Sequence, residues 1–159
     1  MTETLRFELG GLQDPRVLAL LQEHLQDMRA ISPPESVHAL DVQGLMQPHI
    51  QFWSAWGTEA GAEQLAGVCA LKRLSGTEAE LKSMRVAASR RGQGDAQKLI
   101  DFVLQQGRQA GITHIHLETG TETYFAPARR FYERNGFAYC PPFGDYALDP
   151  NSCFMTRAL

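Results

Sequence analysis

Between Ser83 and Ile100 the chain reads Ser-Met-Arg-Val-Ala-Ala-Ser-Arg-Arg-Gly-Gln-Gly-Asp-Ala-Gln-Lys-Leu-Ile. A strand end, a short basic turn with two glycines and the start of a helix follow one another directly. That succession binds anions. The first turn of a helix leaves its amides without intrahelical partners and carries the positive end of the helix dipole, and glycines let a ligand approach the backbone. Arg90, Arg91 and Lys98 add positive charge around Gly92–Ala96. A diphosphate suits this chemistry. Two familiar phosphate loops fail on spacing: a P-loop needs Gly-Lys-Ser/Thr where Gly94 is followed by Asp95-Ala96, and a dinucleotide fingerprint needs Gly or Ala where Gln97 stands.

The elements that must hold this turn can be read around it. Leu5, Phe7 and Leu9 alternate with polar residues and predict a first strand ending at Gly10-Gly11. Asp14-Pro15 opens a helix with Asp14 as N-cap and Val17, Leu18, Leu21, Leu25 and Met28 on one face, and Ser32-Pro33-Pro34 stops it. A short helix or loop spans 35–45. Strands over 50–56, 65–74 and 79–86, separated by turns, predict an antiparallel meander. From Gly94 the apolar period becomes helical, through Ala96, Leu99, Ile100, Val103 and Leu104, and Gly111 closes the helix. A strand over 112–118 follows, and strand, crossover helix and strand form a right-handed parallel unit. Pro127 begins another helix with Ala128, Phe131 and Tyr132 inward, Asn135-Gly136 ends it, and strands over 137–140 and 153–157 flank a loop from Pro141 to Tyr146. The expectation is a mixed-sheet α/β fold in one domain over residues 1–159.

Arg91-Gly92-Gln93-Gly94-Asp95-Ala96 resembles the Arg/Gln-x-x-Gly-x-Gly/Ala motif of GNAT N-acetyltransferases. Ala79–Val86 is similar to that family's fourth strand, and Ala128-Arg-Arg-Phe-Tyr-Glu-Arg-Asn-Gly-Phe137 resembles its Ala-x-x-x-Tyr-x-x-x-Gly-Phe helix end. The three motifs, in this order, cover about residues 65–159; Leu117-Glu-Thr-Gly and Asp149-Pro-Asn-Ser resemble the bacterial YsnE-type branch. The resemblance implies a GNAT-like fold, an antiparallel N-terminal meander followed by β-α-β-α-β-β with a central splayed parallel pair. It implies acetyl-CoA as cosubstrate, with the diphosphate on the amides of Gln93, Gly94, Asp95, Ala96 and Gln97 beside Arg91 and Gly92. The pantetheine arm would pair with the backbone of Met84, Arg85 and Val86. Two residues depart from the pattern: Asp95 stands where the loop is usually apolar, so its carboxylate must turn away from the phosphates or cap the helix, and Phe125 replaces an Asn that contacts the cofactor in many members.

Acyl transfer to an amine needs a base, a donor for the oxyanion and a proton for the leaving thiolate. An alkyl amine with a pKa near ~10 must lose its proton. Glu80 matches by position the glutamate that serves as base in some members, and Glu118 is a second candidate that could also contact the acceptor. Backbone amides near Met84 and Arg85 would meet the oxyanion if the strand bulges, and Tyr132 matches the tyrosine that donates to the leaving sulfur. His114, His116 and Glu118 share a strand face, but a rise of ~3.3 Å per residue spreads them too far to share one metal ion; no metal is expected. Acceptor recognition is expected from residues 28–56 and 141–149, where His38, Asp41, Trp53 and Tyr146 are the candidates.

Composition narrows the partners. Roughly one domain's worth of residues, 159, with 43% hydrophobic and 21% charged, predicts a packed domain. Net charge is −3, which speaks against nucleic-acid and anionic-membrane surfaces. Residues 1–81 hold 5 basic and 11 acidic side chains and residues 82–159 hold 10 and 7, so the half with the anion loop is net positive. Cys69, Cys140 and Cys153 lack metal or redox spacing and read as buried thiols. The acidic start, the absence of an export signal and an apolar run no longer than Val17–Leu21 predict a cytoplasmic protein. The expected function is acetyl transfer to a primary amine of a small molecule, amino acid or peptide, with a homodimer left open. The alternative is a catalytically idle acyl-CoA-binding module, motivated by Asp95 and Phe125.

Overall fold

A computed structural model describes residues 4–159. Strand β1 (Arg6–Leu9) leads to α1 (Pro15–Ile31), whose first turn is capped by Asp14 accepting from the Arg16 amide at 2.8 Å, and which stops at Ser32 before Pro33-Pro34. After a 3₁₀ turn at Pro34–Ser36 come α2 (Val42–Leu45) and the meander β2 (Ile50–Glu59), β3 (Ala62–Arg73) and β4 (Glu78–Val86). Then follow α3 (Asp95–Gln109), β5 (His114–Gly120), α4 (Ala126–Arg134), β6 (Ala138–Cys140) and β7 (Ser152–Ala158). One seven-stranded sheet has the order β1-β2-β3-β4-β5-β7-β6, with every neighbouring pair antiparallel except β4 and β5.

Both faces of the sheet are covered, so the central strands β2 and β3 are buried on both sides through their middles, while the edge strands β1 and β6 stay largely exposed. Val17, Leu20 and Leu21 of α1 pack on Phe52, Trp56, Leu65, Val68 and Ala70. On the opposite face Leu99, Ile100, Val103 and Leu104 of α3 meet Trp53, Ala55, Cys69, Leu71, Ile115, Leu117 and Met155. The strand expected from Ile112 begins two residues later, because the Ile112 amide closes α3 by donating to Gly107 O at 2.9 Å while Gly111, at φ +82°, donates to Arg108 O. Phe137 likewise donates to Tyr132 O at 3.0 Å behind Gly136, so β6 starts at Ala138. Both are Schellman closures.

Two irregularities in β4 shape the site. The parallel ladder with β5 holds only from Glu78↔His114 to Glu80↔His116, after which the strands part. Against β3, Val68 faces Arg85 while Ala70 faces Lys82, so Ser83 and Met84 together oppose Cys69. This is a β-bulge, with Ser83 at φ +54°. Cys69 is buried; Cys140 and Cys153, expected to be buried, are only partly so. No helix among the described residues is long and apolar enough to cross a membrane.

Candidate active site

A cleft of about 580 Å³ opens where β4 and β5 separate. Its walls are Glu80–Val86 of β4, Leu117–Gly120 of β5, Phe131 and Tyr132 of α4, and His24 and Met28 of α1. Val86, Arg91, Ala96 and Phe131 also line a smaller recess of about 300 Å³ over Gly92, Gly94, Asp95 and Gln97, which prolongs the cleft.

The recess is built from backbone. Gly92 at φ +78° and Gly94 at φ +84° occupy the left-handed region, and a Cβ on either would meet nothing within 4 Å, so main chain faces open space. Gly94 is the N-cap of α3 without a capping side chain, which leaves the amides of Asp95, Ala96 and Gln97 without intrahelical partners. Gln93 turns its side chain back to Ser89 O at 3.4 Å, and Gln97 Nε2 donates to Asn135 Oδ1 at 2.7 Å. Through Asn135, whose Nδ2 donates to Phe131 O, Gln97 ties α3 to α4. Arg90, expected to add positive charge, is instead buried against the Asp95 carboxylate, with Nε to Oδ2 at 2.6 Å. Asp95 therefore faces away from the open amides.

In the cleft, β4 is paired to β3 but has no ladder partner toward β5 beyond Glu80. Glu80 is 2% exposed, and its Oε2 accepts from Lys82 Nζ at 3.1 Å and from the Tyr146 hydroxyl. Lys82 also donates to Tyr146 Oη at 3.0 Å and to His38 O at 3.3 Å. Lys82 escaped the sequence reading, although its place two residues from Glu80 on one strand puts both side chains on the same face. His38 packs edge-on against Tyr146, so both acceptor candidates reach this cluster. Burial, joined by the Glu80 charge, pushes the Tyr146 hydroxyl up and keeps it protonated.

Across the cleft, burial pushes Glu118 up to about 7, with the Lys82 charge pulling the other way. Tyr132 is also raised by burial and so stays a donor, and its hydroxyl makes no hydrogen bond among the described residues. Arg85 sends its guanidinium to Glu23 at 2.7 Å and to Asp27 on α1, beside His24, which burial and the Arg85 charge lower to about 4. His116 meets Glu78 at 2.9 Å and stacks on Phe143.

Two acceptor candidates lie elsewhere. Trp53 is 3% exposed in the α3-side core with its ring against Phe102, because that face of β2 is covered by a helix. Asp41 caps α2 by accepting from the Gly44 amide at 2.8 Å. Phe125 forms part of the cleft wall and lies on Gly120, where a Cβ would come within 2.2 Å of the ring.

The family model of the Acetyltransferase (GNAT) family matches residues 17–137. The chain belongs to the GNAT acetyltransferases. It is 43% identical over 155 residues to the uncharacterized N-acetyltransferase YsnE of Bacillus subtilis, covering 98% of this chain and 100% of that protein. The uncharacterized N-acetyltransferase YedL of Escherichia coli is 44% identical over 148 residues, 93% of this chain and 91% of that one. Among solved structures, an acetyltransferase from Streptococcus agalactiae superposes with a TM-score of 0.71 at 22% identity, with 98% of each chain covered. A GNAT acetyltransferase from Elizabethkingia anophelis with acetyl-CoA bound gives 0.67 at 14% identity, again covering 98% of each chain. The splayed parallel pair and N-terminal meander of this sheet are the GNAT arrangement the motifs implied.

Proposed function

We propose that this chain transfers the acetyl group of acetyl-CoA to the primary amine of a small molecule, an amino acid or a peptide. The observation that carries this reading is the splay: the free edge of β4, the bulge at Ser83-Met84, Glu118 and Tyr132 all open onto one cleft that runs into the amides of α3. The fit to acetyl-CoA rests on an unpaired strand edge for an amide-bearing arm and on open backbone at Gly92 and Gly94 for a diphosphate. Bound there, acetyl-CoA supplies an activated thioester acyl group.

The residues divide the remaining work. Backbone amides at the bulge, near Met84 and Arg85, face the carbonyl oxygen as negative charge grows on it. Glu118, poised near neutrality, takes the proton from the incoming ammonium group, and Tyr132 gives its hydroxyl proton to the departing sulfur. Glu80 serves as an anchor in this scheme, since Lys82 and Tyr146 already occupy its carboxylate. The inward turn of Asp95 removes the repulsion that motivated an idle binding module. Thiol release from acetyl-CoA measured across a panel of amines tests the reading: turnover with at least one amine is expected, and acetyl-CoA binding without turnover on any would overturn it.

A further inference from the structure

Asp95 is the first residue of α3, the helix whose N-terminal amides face the recess. A carboxylate at that position competes with any other anion for the same amides and the same dipole end. Here it is turned inward. Arg90 and Asp95 are each 2% exposed, and besides the 2.6 Å contact Arg90 Nη2 reaches Asp95 Oδ1 at 3.5 Å. The guanidinium lies on Gly57 of β2, where a Cβ would come within 2.6 Å of Cζ, so only glycine leaves it room. Arg90 ends the 3₁₀ turn after β4 and Asp95 opens α3, so the pair spans the segment carrying Gly92 and Gly94 and pins both its ends to β2.

We propose that Arg90 and Asp95 form a neutral latch beneath the phosphate loop. Arg90 draws the carboxylate back from the α3 amides, leaving them to the diphosphate, and the closed pair holds residues 91–94 in the shape that presents them. The latch rests on the acetyl-CoA reading above, and both residues act as positioning residues. Removing one member of a buried pair strands a charge, whereas replacing both with apolar groups is close to neutral. Simple core packing and a latch therefore predict different patterns.

The test pairs calorimetric titration of acetyl-CoA with thermal unfolding of the full chain. Arg90→Met and Asp95→Asn should both unfold at lower temperature than the parent, since each leaves a buried charge. Their affinities should split. Arg90→Met releases an unpaired carboxylate beside the diphosphate and should weaken acetyl-CoA about tenfold or more. Asp95→Asn keeps an acceptor for Arg90 and deletes the competing anion, so acetyl-CoA should bind at least as tightly as to the parent. The double variant Arg90→Met/Asp95→Leu should return to within about threefold of the parent. Gly57→Ala, which pushes the guanidinium off Asp95 and deletes no charge, should weaken binding about threefold and takes the place of Arg90→Met if that variant does not fold. Equal weakening in both single variants, in step with their loss of stability, would overturn the latch, as would an unimproved double variant or unchanged affinity in Gly57→Ala. Failure of the parent chain itself to bind acetyl-CoA would overturn the donor reading and the latch with it.

Discussion

The two ends of the cleft are made in different ways. The recess beside α3 is centred on one short run, Arg91–Gln97, whose backbone is open at Gly92 and Gly94 while the side chains of Gln93, Asp95 and Gln97 turn to Ser89, Arg90 and Asn135. The end of the cleft where β4 and β5 part gathers Glu80 and Lys82 from β4, Glu118 from β5, Tyr132 from α4, His38 from the segment between α1 and α2, and Tyr146 from the loop between β6 and β7. In the recess the exposed polar groups are amides, whose direction follows from glycine placement and a helix start. At the other end they are side chains, and those of Glu118, Tyr132 and Tyr146 owe their raised proton affinities to the distant segments that bury them. One region is specified locally, and the other exists only once the sheet is complete.

Substitutions can break or sharpen this division. Tyr132→Phe should lower kcat by about 10²–10⁴ with acetyl-CoA affinity retained, since only a proton donor is lost. Steady-state kinetics beside calorimetry check this, and raising the pH should give no rescue. Wild-type kcat should rise through a pH near 7 as Glu118 ionises. Glu118→Gln should lose that inflection and about 10²-fold in rate at neutral pH, with partial recovery at alkaline pH where the amine deprotonates unaided. The same group links stability to pH. Its folded pKa of about 7 lies above the ordinary 4.5, so its contribution is complete below about pH 4.5 and fades as pH rises through 7. A series of Tm against pH should show that decline flattened in Glu118→Gln.

Gly94→Val should weaken acetyl-CoA about tenfold, because a β-branched residue at φ +84° costs about 1–2 kcal/mol and its side chain stands in the space the ligand needs. Acceptor KM should stay unchanged in that variant; a shift there would show that the two ends are not independent. The smallest effect is expected of Tyr146→Phe, which takes one donor from Glu80 and one acceptor from Lys82. Acceptor KM should rise about threefold and donor KM should not.

What the sequence disclosed follows the same division. The order of elements was readable because apolar period and glycine placement are local signals, and so was the glycine turn that opens α3. The starts of β5 and β6 were misplaced by one or two residues because the Ile112 and Phe137 amides finish helices, a use that residue type does not announce. Trp53 lies in the core and not in the cleft for a global reason. With both sheet faces covered, the alternation of Phe52, Trp53, Ala55 and Trp56 gives no sign of which side meets the cleft. The Glu80–Lys82 and Arg90–Asp95 pairings are not announced by the sequence, because only burial of both partners together makes each pair. Nor does serine at position 83 advertise a bulge with positive φ.

The free edge of β4 carries one more consequence. An unpaired strand edge on a protein's outside invites a second chain to add to the sheet, and many sheets blunt such edges with charge, proline or a bulge. This edge lies in the middle of the sheet, in a gap whose far wall is β5 of the same molecule. Edge-to-edge addition needs an outer strand with open space beside it, and here that space is bounded by β5. The fold thus leaves hydrogen-bonding capacity open on β4 while enclosing it within one molecule, where edge-to-edge aggregation has no template.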